Sequence, residues 1–332
     1  MDNSSPRNAR TVVVGGGTMG ADVAVVLARG GAQVTVVDPH AARRDHVLPH
    51  IAQELAAAGQ ATHAGPVQVC ASLQDVDWSG VVLVVECITE QLAAKQKLFA
   101  ELEAVAPLNA VLASNSSGFP ISAIAHGLAT AQRMLGLHFF MPAHLVPLVE
   151  VVLGERSDPA LGTWLHAFMR GCGSVPVLVK KDKPGFLANR MQHALSREAF
   201  ALIDEGIASP EDVDAAVRFG FGFRFLAAGP VLQRDHAGIE VHTAAAATMY
   251  PTLSNTDVPA QALRDKVAQG TLGMKTGKGF FDWPEDRRRA ERARYDTLLR
   301  QGLALLASEL PTIEPPTATS QTDTPSTTGA RA

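Results

Sequence analysis

Near its start the chain reads Thr11-Val12-Val13-Val14-Gly15-Gly16-Gly17-Thr18-Met19-Gly20, and an alanine-rich helical stretch follows. A β-branched run that passes into the pattern GxGxxG and then into a helix is typical of a dinucleotide-binding loop. Gly15 permits the tight turn, Gly17 leaves room for a pyrophosphate, and Gly20 lets the helix pack closely on the strand. The helix N-terminus then offers its N–H groups to the phosphates. We therefore predict that Gly15, Gly16, Gly17, Thr18, Met19 and Gly20 bind a dinucleotide.

An acidic residue at the end of the next strand indicates which dinucleotide is bound. Asp38 lies eighteen residues after Gly20 and closes the strand-like run Gln33–Asp38. A carboxylate there accepts hydrogen bonds from the adenosine ribose and repels a 2′-phosphate, which favours NAD over NADP. Arg43 and Arg44 are expected to face solvent on the following helix, and NADP stays a minor alternative.

The first half of the chain alternates strand-like and helix-like segments. Short β-branched runs are separated by helical patterns such as Leu92–Ala104 and Pro159–Met169. Several of the runs are almost continuously hydrophobic, as in strands that are buried on both faces. We predict an α/β fold with a Rossmann-like doubly wound sheet, and strands at Thr11–Val14, Gln33–Asp38, Val81–Glu86, Ala110–Ser114, Met134–Phe140, Val146–Val152 and Val175–Lys180.

The pattern changes after Asp182, where only helical signals appear between Pro184 and Ala247. Ser209 followed by Pro210 is a typical helix start, and a further helix is expected from about Glu285 to Leu310. We predict an NAD-binding domain over residues 1–182, an all-helical substrate and dimerisation domain over 183–310, and a disordered Pro/Thr/Ser-rich tail over 311–332.

The composition excludes several classes of protein. Hydrophobic residues make up 46% and charged residues 19% of the 332 residues, and the net charge of −4 gives no basic face for nucleic acid. The three cysteines lack ligand or disulfide spacing and are expected to be reduced thiols. The polar first ten residues lack the apolar core of a signal peptide, and no apolar run is long enough to span a membrane, so we expect a cytoplasmic protein. We also predict that it binds no metal.

Several further motifs occur in a fixed order along the chain, and with them the sequence resembles the L-3-hydroxyacyl-CoA dehydrogenase family. That superfamily includes lambda-crystallin (L-gulonate 3-dehydrogenase) and L-carnitine dehydrogenase. The likeness runs from the glycine loop to residue 280, and its motifs are Glu86-Cys87-Ile88-Thr89-Glu90, Lys95, Ser114-Asn115-Ser116-Ser117, Gly136-Leu137-His138-Phe139-Phe140, Pro184-Gly185-Phe186-Leu187-Ala188-Asn189-Arg190 and Lys275-Thr276-Gly277-Lys278-Gly279-Phe280.

The resemblance implies that His138 is the catalytic base and Glu150 its partner. Both lie on adjacent strand-like segments, twelve positions apart with a proline-containing turn between them. A carboxylate on one ring nitrogen fixes the tautomer and stabilises the imidazolium that forms when the other nitrogen takes a hydroxyl proton. Taken alone, a residue like His138 is more often a satisfied strand histidine, and one like Glu150 an edge charge; the flanking motifs favour catalysis.

The same resemblance assigns the other site residues. Ser117 and Asn189 match positions that hydrogen-bond the substrate oxygen and the reacting groups, and Ser117 also belongs to the cofactor site. Glu90 and Lys95 match residues beside the nicotinamide ribose, and Lys275 matches a lysine that reaches the cofactor from the C-terminal segment. Each also has an ordinary alternative as a turn, helix-start or surface residue.

Two departures from the family pattern bear on the substrate. Met141 stands where the family usually has asparagine, and a thioether is at best a weak acceptor. The region between Asp38 and Val81 contains no lysine, whereas acyl-CoA members carry a lysine-rich helical insertion there that touches CoA. The resemblance favours a short 3-hydroxyacyl-CoA as substrate, such as 3-hydroxybutyryl-CoA, in fatty acid metabolism. The alternatives are a free 3-hydroxy acid, such as a sugar acid or carnitine, and a non-catalytic, crystallin-like NAD-binding protein. The resemblance also implies a homodimer.

Overall fold

The computed structural model describes residues 4–62 and 64–314, and its first half contains one eight-stranded sheet. The sheet order is β3-β2-β1-β4-β5-β6-β7-β8, and every neighbouring pair is parallel except β6 and β7. The strands are β1 (Arg10–Val14), β2 (Gln33–Val37), β3 (Val67–Cys70), β4 (Val81–Glu86), β5 (Val111–Ser114), β6 (Met134–Phe139), β7 (Leu148–Leu153) and β8 (Val175–Val179).

Helices cover both faces of this sheet and divide the core into two layers. One layer contains Val13 and Leu83 of the sheet beneath the first two and the fifth helices. The other contains Val12 and Val84, the neighbouring residues in each strand, beneath the third and fourth helices. This alternation explains the continuous hydrophobic runs, because successive side chains enter opposite layers. The helices are α1 (Thr18–Arg29), α2 (Ala41–Ala57), α3 (Leu92–Val105), α4 (Ile121–Ile124) and α5 (Pro159–Gly171).

The predicted fold class is confirmed, and all seven predicted strands are present with shifts of one or two residues at their ends. The largest shift is in β7, which begins at Leu148 because Pro147 has no N–H to donate to the ladder. The strand that the sequence did not reveal is β3, a four-residue edge strand on β2 whose residues are at most half-buried.

The second half of the described chain is helical, as predicted. Ser209 caps its helix by accepting a hydrogen bond from the Asp212 N–H. A π-helical turn, Ala216–Phe221, separates two of the short helices. The helices are α6 (Ala188–Asp204), α7 (Pro210–Ala215), α8 (Gly222–Arg224), α9 (Leu232–Ala237), α10 (Ile239–Met249), α11 (Gln261–Ala268) and α12 (Glu285–Leu305). The domain boundary at Asp182 stays a prediction.

Helices α6 to α12 differ from the first five in their burial. Among the described residues, none in these seven helices is buried. Exposed side chains include large apolar ones such as Phe219, Phe223, Val231 and Tyr250, which are 64–79% exposed. Residues 311–314 follow α12 as irregular chain and residues 315–332 lie outside the described residues, so the disordered tail stays a prediction. None of the described helices combines the length and apolarity that crossing a bilayer requires.

Candidate active site

Three glycines of the loop between β1 and α1 are required for three different reasons. Gly15 has a φ of +106°, and a Cβ on it would lie 2.7 Å from the Cys87 carbonyl oxygen. A Cβ on Gly20 would lie 1.7 Å from the Gly15 carbonyl oxygen, so α1 packs against the loop without space for a side chain. A Cβ on Gly17 would meet no protein atom within 4 Å. Protein packing does not explain Gly17, whereas the close approach of a phosphate does.

The N-terminus of α1 fits the same ligand. Gly17 is its N-cap and provides no side-chain acceptor for the first N–H groups of the helix. Those groups at Thr18, Met19 and Gly20 have no partner four residues back within the helix and form an anion-binding end. The residues present therefore fit a dinucleotide, with Gly15–Gly20 beside the pyrophosphate.

Asp38 lies next to this loop, directly after β2, and is 1% exposed. Its Oδ2 accepts the Gly16 N–H at 2.8 Å and its Oδ1 accepts the His40 N–H at 2.8 Å. Burial raises the pKa of this carboxyl, but the N–H groups of His40 and Gly16 outweigh burial and hold the pKa below its usual value. Asp38 is thus an anion fixed where an adenosine ribose would lie.

The expectation that Arg43 and Arg44 face solvent is wrong in part. Arg43 is half-exposed, yet its guanidinium lies 3.4 Å from Asp38 Oδ2. Arg44 donates to the Asp38 carbonyl oxygen at 2.7 Å. Both arginines turn back towards Asp38 because its charge and carbonyl offer the nearest acceptors, and they surround it with positive charge.

His138 and Glu150 face each other across the antiparallel pair β6 and β7, where they occupy opposite register positions. His138 Nδ1 lies 2.7 Å from Glu150 Oε2, and both side chains are buried. The other ring nitrogen, Nε2, lies 3.1 Å from Ser117 Oγ. The carboxylate fixes Nδ1 as the protonated nitrogen, so Nε2 is left as the atom that accepts a proton.

Glu150 also connects the sheet to the first helix of the second half. Its Oε1 accepts the N–H groups of Leu187 at 3.0 Å and Ala188 at 2.7 Å. These groups lie at the N-terminus of α6, whose dipole stabilises a negative charge. One carboxylate therefore orients His138 and places the helix that carries Asn189.

Ser117 is positioned by Glu90, which lies after β4. Glu90 Oε1 accepts the N–H groups of Ser117 and Gly118 and the Ser116 hydroxyl, at 2.6–3.1 Å. Burial raises the pKa of Glu90, but the Ser116 hydroxyl, the Gly118 N–H and Lys95 together hold it below its usual range. The Ser117 loop is therefore fastened to an ionised Glu90.

Lys95 lies beneath this loop and is 1% exposed. Its Nζ lies 2.6 Å from Glu86 Oε1 and 3.2 Å from Glu90 Oε2. The ammonium is enclosed by two carboxylates, so in this structure it acts on the site through Glu90. Direct contact of Lys95 with a cofactor stays a prediction.

A cavity of about 1270 Å³ opens beside the Ser117–His138 pair. Ser117, Glu90 and Asn189 line it, so the structure brings these three predicted residues to one cavity. The opposite wall consists of α6 and the segment that leads into α11. The remaining side chains on the α6 wall include Arg190, His193, Arg197 and Phe200.

The predicted residue Lys275 and the departure Met141 lie apart from this group. Lys275 is exposed on the loop after α11 and is not among the residues that line the cavity. Met141 follows β6 and is 67% exposed, so its thioether makes few protein contacts at the position where the family usually has asparagine.

Sequence reasoning missed four residues at this site. Glu86 holds Lys95, and Asn115 Oδ1 accepts the Phe139 N–H at 2.9 Å, which positions the end of β6. Both belong to quoted motifs, but nothing in the motifs says which partner each contacts. His193 and Arg197 lie four and eight residues after Asn189, and this helical spacing was a signal that they share its face.

Comparison with known proteins agrees with this geometry. The family model for the 3-hydroxyacyl-CoA dehydrogenase NAD binding domain matches residues 10–183, and the model for the C-terminal domain of that family matches residues 185–283. The free thiols predicted for Cys70, Cys87 and Cys172 are also observed.

Relatives with different substrates are similar to this chain. It is 34% identical to 5-formyl-3-hydroxy-2-methylpyridine 4-carboxylate 5-dehydrogenase of Mesorhizobium japonicum, over 85% of this chain and 94% of that protein. It is 33% identical to 3-hydroxybutyryl-CoA dehydrogenase of Mycobacterium tuberculosis H37Rv, over 82% and 98%. Rabbit (Oryctolagus cuniculus) lambda-crystallin is 33% identical, over 71% and 77%.

A solved structure of a 5-formyl-3-hydroxy-2-methylpyridine 4-carboxylic acid 5-dehydrogenase, described as an NAD⁺ dependent dismutase, superposes with a TM-score of 0.84 at 31% identity, over 89% of this chain and 98% of that one. For (S)-3-hydroxybutyryl-CoA dehydrogenase of Ralstonia eutropha the TM-score is 0.67 at 29% identity, over 83% and 99%. With two family models that together cover most of its length, the chain belongs to the 3-hydroxyacyl-CoA dehydrogenase family and is an NAD-dependent oxidoreductase of the CH–OH type.

Proposed function

We propose that this protein oxidises the hydroxyl group of a small, carboxylate-bearing substrate with NAD, and that His138 is the base. The observation that carries the proposal is the chain of contacts from Glu150 through His138 to Ser117. This chain lies beside a cavity whose α6 wall has His193 and Arg197 nearest Asn189 and the acidic Asp204 and Glu205 at the far end of the helix. The non-catalytic alternative is disfavoured because a protein without activity does not need this complete chain of contacts.

The proposed reaction begins with a proton transfer to His138. Nε2 takes the proton of the substrate hydroxyl, and Glu150 stabilises the imidazolium through Nδ1. Ser117, 3.1 Å from Nε2, and Asn189 orient the substrate oxygen. When bound, NAD supplies the acceptor for the hydride that leaves the carbinol carbon.

The α6 wall of the cavity supports a carboxylate on the substrate. His193 and Arg197 follow Asn189 at intervals of four residues, which place them about 6 and 12 Å along the helix. A substrate whose hydroxyl is held at Asn189 then has its far end beside the imidazole or guanidinium. Arg197 is suited to this role, since a guanidinium binds a carboxylate with two parallel hydrogen bonds.

Two further observations favour a free acid over a CoA thioester. Helix α2 and the segment up to β4 contain no lysine, and both arginines of α2 that could bind a phosphate contact Asp38 instead. The protein with the TM-score of 0.84 is named for a carboxylic acid, whereas the CoA dehydrogenase reaches 0.67. A free 3-hydroxy acid is a member of the proposed class, whereas the pyridine carboxylate in that name shares the carboxylate but has a formyl group at its position 5.

A short 3-hydroxyacyl-CoA, oxidised at its L-3-hydroxy group to the 3-oxoacyl-CoA, is the second candidate. The name of the family and the 33% identity to 3-hydroxybutyryl-CoA dehydrogenase favour it. In that case CoA is held mainly by backbone and apolar contacts, because the lysines that would bind its phosphates are absent.

The test is a side-by-side measurement of kcat/KM by NADH absorbance. The substrates are free 3-hydroxy acids, hydroxymethyl-substituted aromatic acids, 3-hydroxybutyryl-CoA and the same acyl group on pantetheine alone. We expect activity on free acids, and Arg197→Gln should raise KM for the acid with little change in kcat. Efficient use of 3-hydroxybutyryl-CoA, with a large loss on truncation to pantetheine, would instead establish the second candidate. Inactivity on every compound, with NADH still bound, would support the non-catalytic alternative.

We also propose that the protein is a homodimer. Helices α7 to α10 expose large apolar side chains along their length, among them Phe223, Ile239 and Val241 at 57–64%. So many exposed large apolar side chains in one stretch of chain favour an interface, because large apolar surfaces are rare on a monomer and typical of permanent interfaces. A second copy of this chain accounts for this exposure, because helices α7 to α10 of each copy would cover those of the other.

A further inference from the structure

Two histidines and an aspartate from three separate elements converge at α1, the helix that follows the dinucleotide loop. Asp22 lies on α1 and is 1% exposed. His50 lies on α2, and its Nε2 is 2.8 Å from Asp22 Oδ1. His144 lies on the segment between β6 and β7, and its Nδ1 is 3.0 Å from the same oxygen. Nothing in the proposed reaction uses these groups.

The contacts of His144 conflict with each other if only protons are available. Its Nδ1 approaches Asp22, and its Nε2 lies 3.1 Å from Glu54 Oε2. A neutral imidazole carries one proton, so one ring nitrogen would point a lone pair at a carboxylate. A doubly protonated ring would face a carboxylate with each nitrogen, but Nδ1 is buried and makes no hydrogen bond of acceptable geometry to Asp22, so only charge attraction would hold it there. An unsatisfied buried N–H is costly.

A divalent cation removes the conflict. Nδ1 of His144 would give its lone pair to the cation, and Nε2 would keep its proton for Glu54. We propose that Asp22, His50 and His144 bind one divalent transition-metal ion, with zinc as the best-fitting member of the class. The three ligand atoms, one from each residue, already lie within 4.8 Å of one another.

Two of the three separations between ligand atoms need only small adjustments to hold zinc, and the third, between the two histidine nitrogens, is at most 4.8 Å. Tetrahedral Zn–N and Zn–O bonds of about 2.0–2.1 Å set the ligand atoms about 3.3 Å apart. Two of the separations are 2.8 and 3.0 Å, so these pairs open by less than 1 Å. Two imidazoles and one carboxylate are typical zinc ligands, and a water molecule completes the fourth position.

Neighbouring groups already orient two of the three ligands, His144 and Asp22, as in known metal sites. Glu54 lies against the outer nitrogen of His144, and Arg300 of α12 pairs with Glu54. The Ala143 N–H donates to Asp22 Oδ2 at 3.0 Å, which leaves Oδ1 for the cation. A carboxylate behind a ligating histidine fixes its tautomer and raises its basicity.

Asp22 is the central residue of the group, because both histidine nitrogens lie within 3.0 Å of its Oδ1. A bound ion would fasten α1, α2 and the β6–β7 segment together within the nucleotide-binding half, as a structural site.

The experiment uses tag-free, full-length protein, because a histidine tag binds the same ions. The protein is dialysed against EDTA and then titrated with Zn²⁺ by calorimetry at pH 7.5, with Mg²⁺ as the ion of the wrong class. We expect one Zn²⁺ per chain, a Tm that rises with zinc and not with magnesium, and, with Co²⁺, the visible absorption bands of a tetrahedral site.

Three substitutions separate this site from adventitious binding. Asp22→Asn and His144→Gln should abolish saturable binding at one per chain, and Glu54→Gln should weaken it by about 10–100-fold. His126→Gln, which removes an exposed histidine elsewhere, should bind as the unmodified protein does. NADH binding and circular dichroism verify that each variant is folded. Absence of saturable Zn²⁺ binding to the unmodified protein, or equal binding by the folded Asp22→Asn and His144→Gln variants, would overturn the proposal.

Discussion

His138 depends on two neighbours that differ in what they contribute. Ser117 contacts the nitrogen that accepts the proton, whereas Glu150 contacts the opposite nitrogen. Removing the imidazole removes the base itself, whereas removing the charge of Glu150 leaves a base with a less certain tautomer and a less stable cation. The two substitutions should therefore differ in size.

His138→Gln should lower kcat by about a hundredfold or more, the usual scale of general-base catalysis. Glu150→Gln should lower kcat by a smaller factor, since the amide still contacts Nδ1. NADH affinity should stay close to normal in both variants, because the glycine loop and Asp38 are remote from the substitution. Steady-state kinetics and fluorescence titration with NADH measure the two quantities. Near-normal kcat in His138→Gln at saturating substrate would exclude this histidine as the base.

At the same scale, we expect Asp38 to determine the choice of cofactor. Asp38→Ala should narrow the preference for NAD over NADP, because it removes the charge that repels a 2′-phosphate. Arg43 and Arg44 then remain to attract that phosphate. The ratio of kcat/KM for the two cofactors measures the change. Asp38→Asn keeps the shape and also removes the charge, so it should narrow the preference as Asp38→Ala does. Equal use of both cofactors by the unmodified protein would contradict the role of Asp38.

Glu90 makes a contribution to stability that depends on pH. Its pKa is below the ordinary value of 4.5 in the folded protein, so the folded state favours the ionised form. The stabilisation is therefore fully present above about pH 5 and is lost as the pH falls through the lowered folded value. Thermal unfolding of the unmodified protein and of Glu90→Gln should differ most near neutral pH and converge in acid. A difference in Tm that is constant from pH 7 to pH 3 would contradict this assignment.

At the scale of elements, α3 is fastened to β4 and β5 by a buried ion pair. Lys95 of α3 contacts Glu86 of β4, and Glu86 Oε2 accepts the Ser114 hydroxyl of β5 at 2.6 Å. Lys95→Met should lower the free energy of unfolding by about 3–5 kcal/mol, because it leaves the Glu86 carboxylate buried and unpaired. Urea unfolding measures the change. The double variant Lys95→Met with Glu86→Gln should recover much of the loss, and additive losses would argue against direct coupling.

The sequence revealed elements where a local pattern determines them. The central strand β4 begins and ends where the sequence predicted, at Val81 and Glu86. Its limits were visible because a strand buried on both faces must be continuously apolar. Strand β3 was missed because Val67–Cys70 is short, lies at an edge and alternates only once. The spacing of His138 and Glu150 predicted that they lie on adjacent strands. Their contact depends on the register of these strands, in which the two residues are opposite each other.

The remaining parts of the site depend on contacts that no local pattern encodes. Glu150 accepts N–H groups from residues 37 and 38 positions later. The Asp22, His50 and His144 group comes from two helices and a segment more than ninety residues further along the chain. Contacts of this kind are set by the packing of elements onto the sheet, so spacing in the sequence gives no signal for them.

At the scale of the molecule, the two halves differ in how much they bury. The sheet has two apolar layers, whereas α7 to α10 leave Phe219, Phe223 and Val231 at 64–79% exposure. Burial of apolar surface is the main source of stability, so helices that bury few apolar side chains within the chain need a partner surface to pack against. The glycine loop and the His138–Glu150 pair are complete within one chain, whereas the wall formed by α6 leads directly into these exposed helices.

The last prediction is that the dimer forms through these helices and that the helical wall depends on it. Phe223→Asp places a charge in the proposed interface, where it would be desolvated without a partner, so the variant should sediment as a monomer. Phe223 lies outside the His138 site, so NADH affinity should be retained while kcat/KM falls, because the cavity wall loses its support. Analytical ultracentrifugation at several protein concentrations measures the mass. Leu108→Asp, at an 81% exposed position in the sheet half, is the matched control and should remain a dimer. If Phe223→Asp remains a dimer, or if the unmodified protein is a monomer at micromolar concentration, the apolar helices serve another purpose.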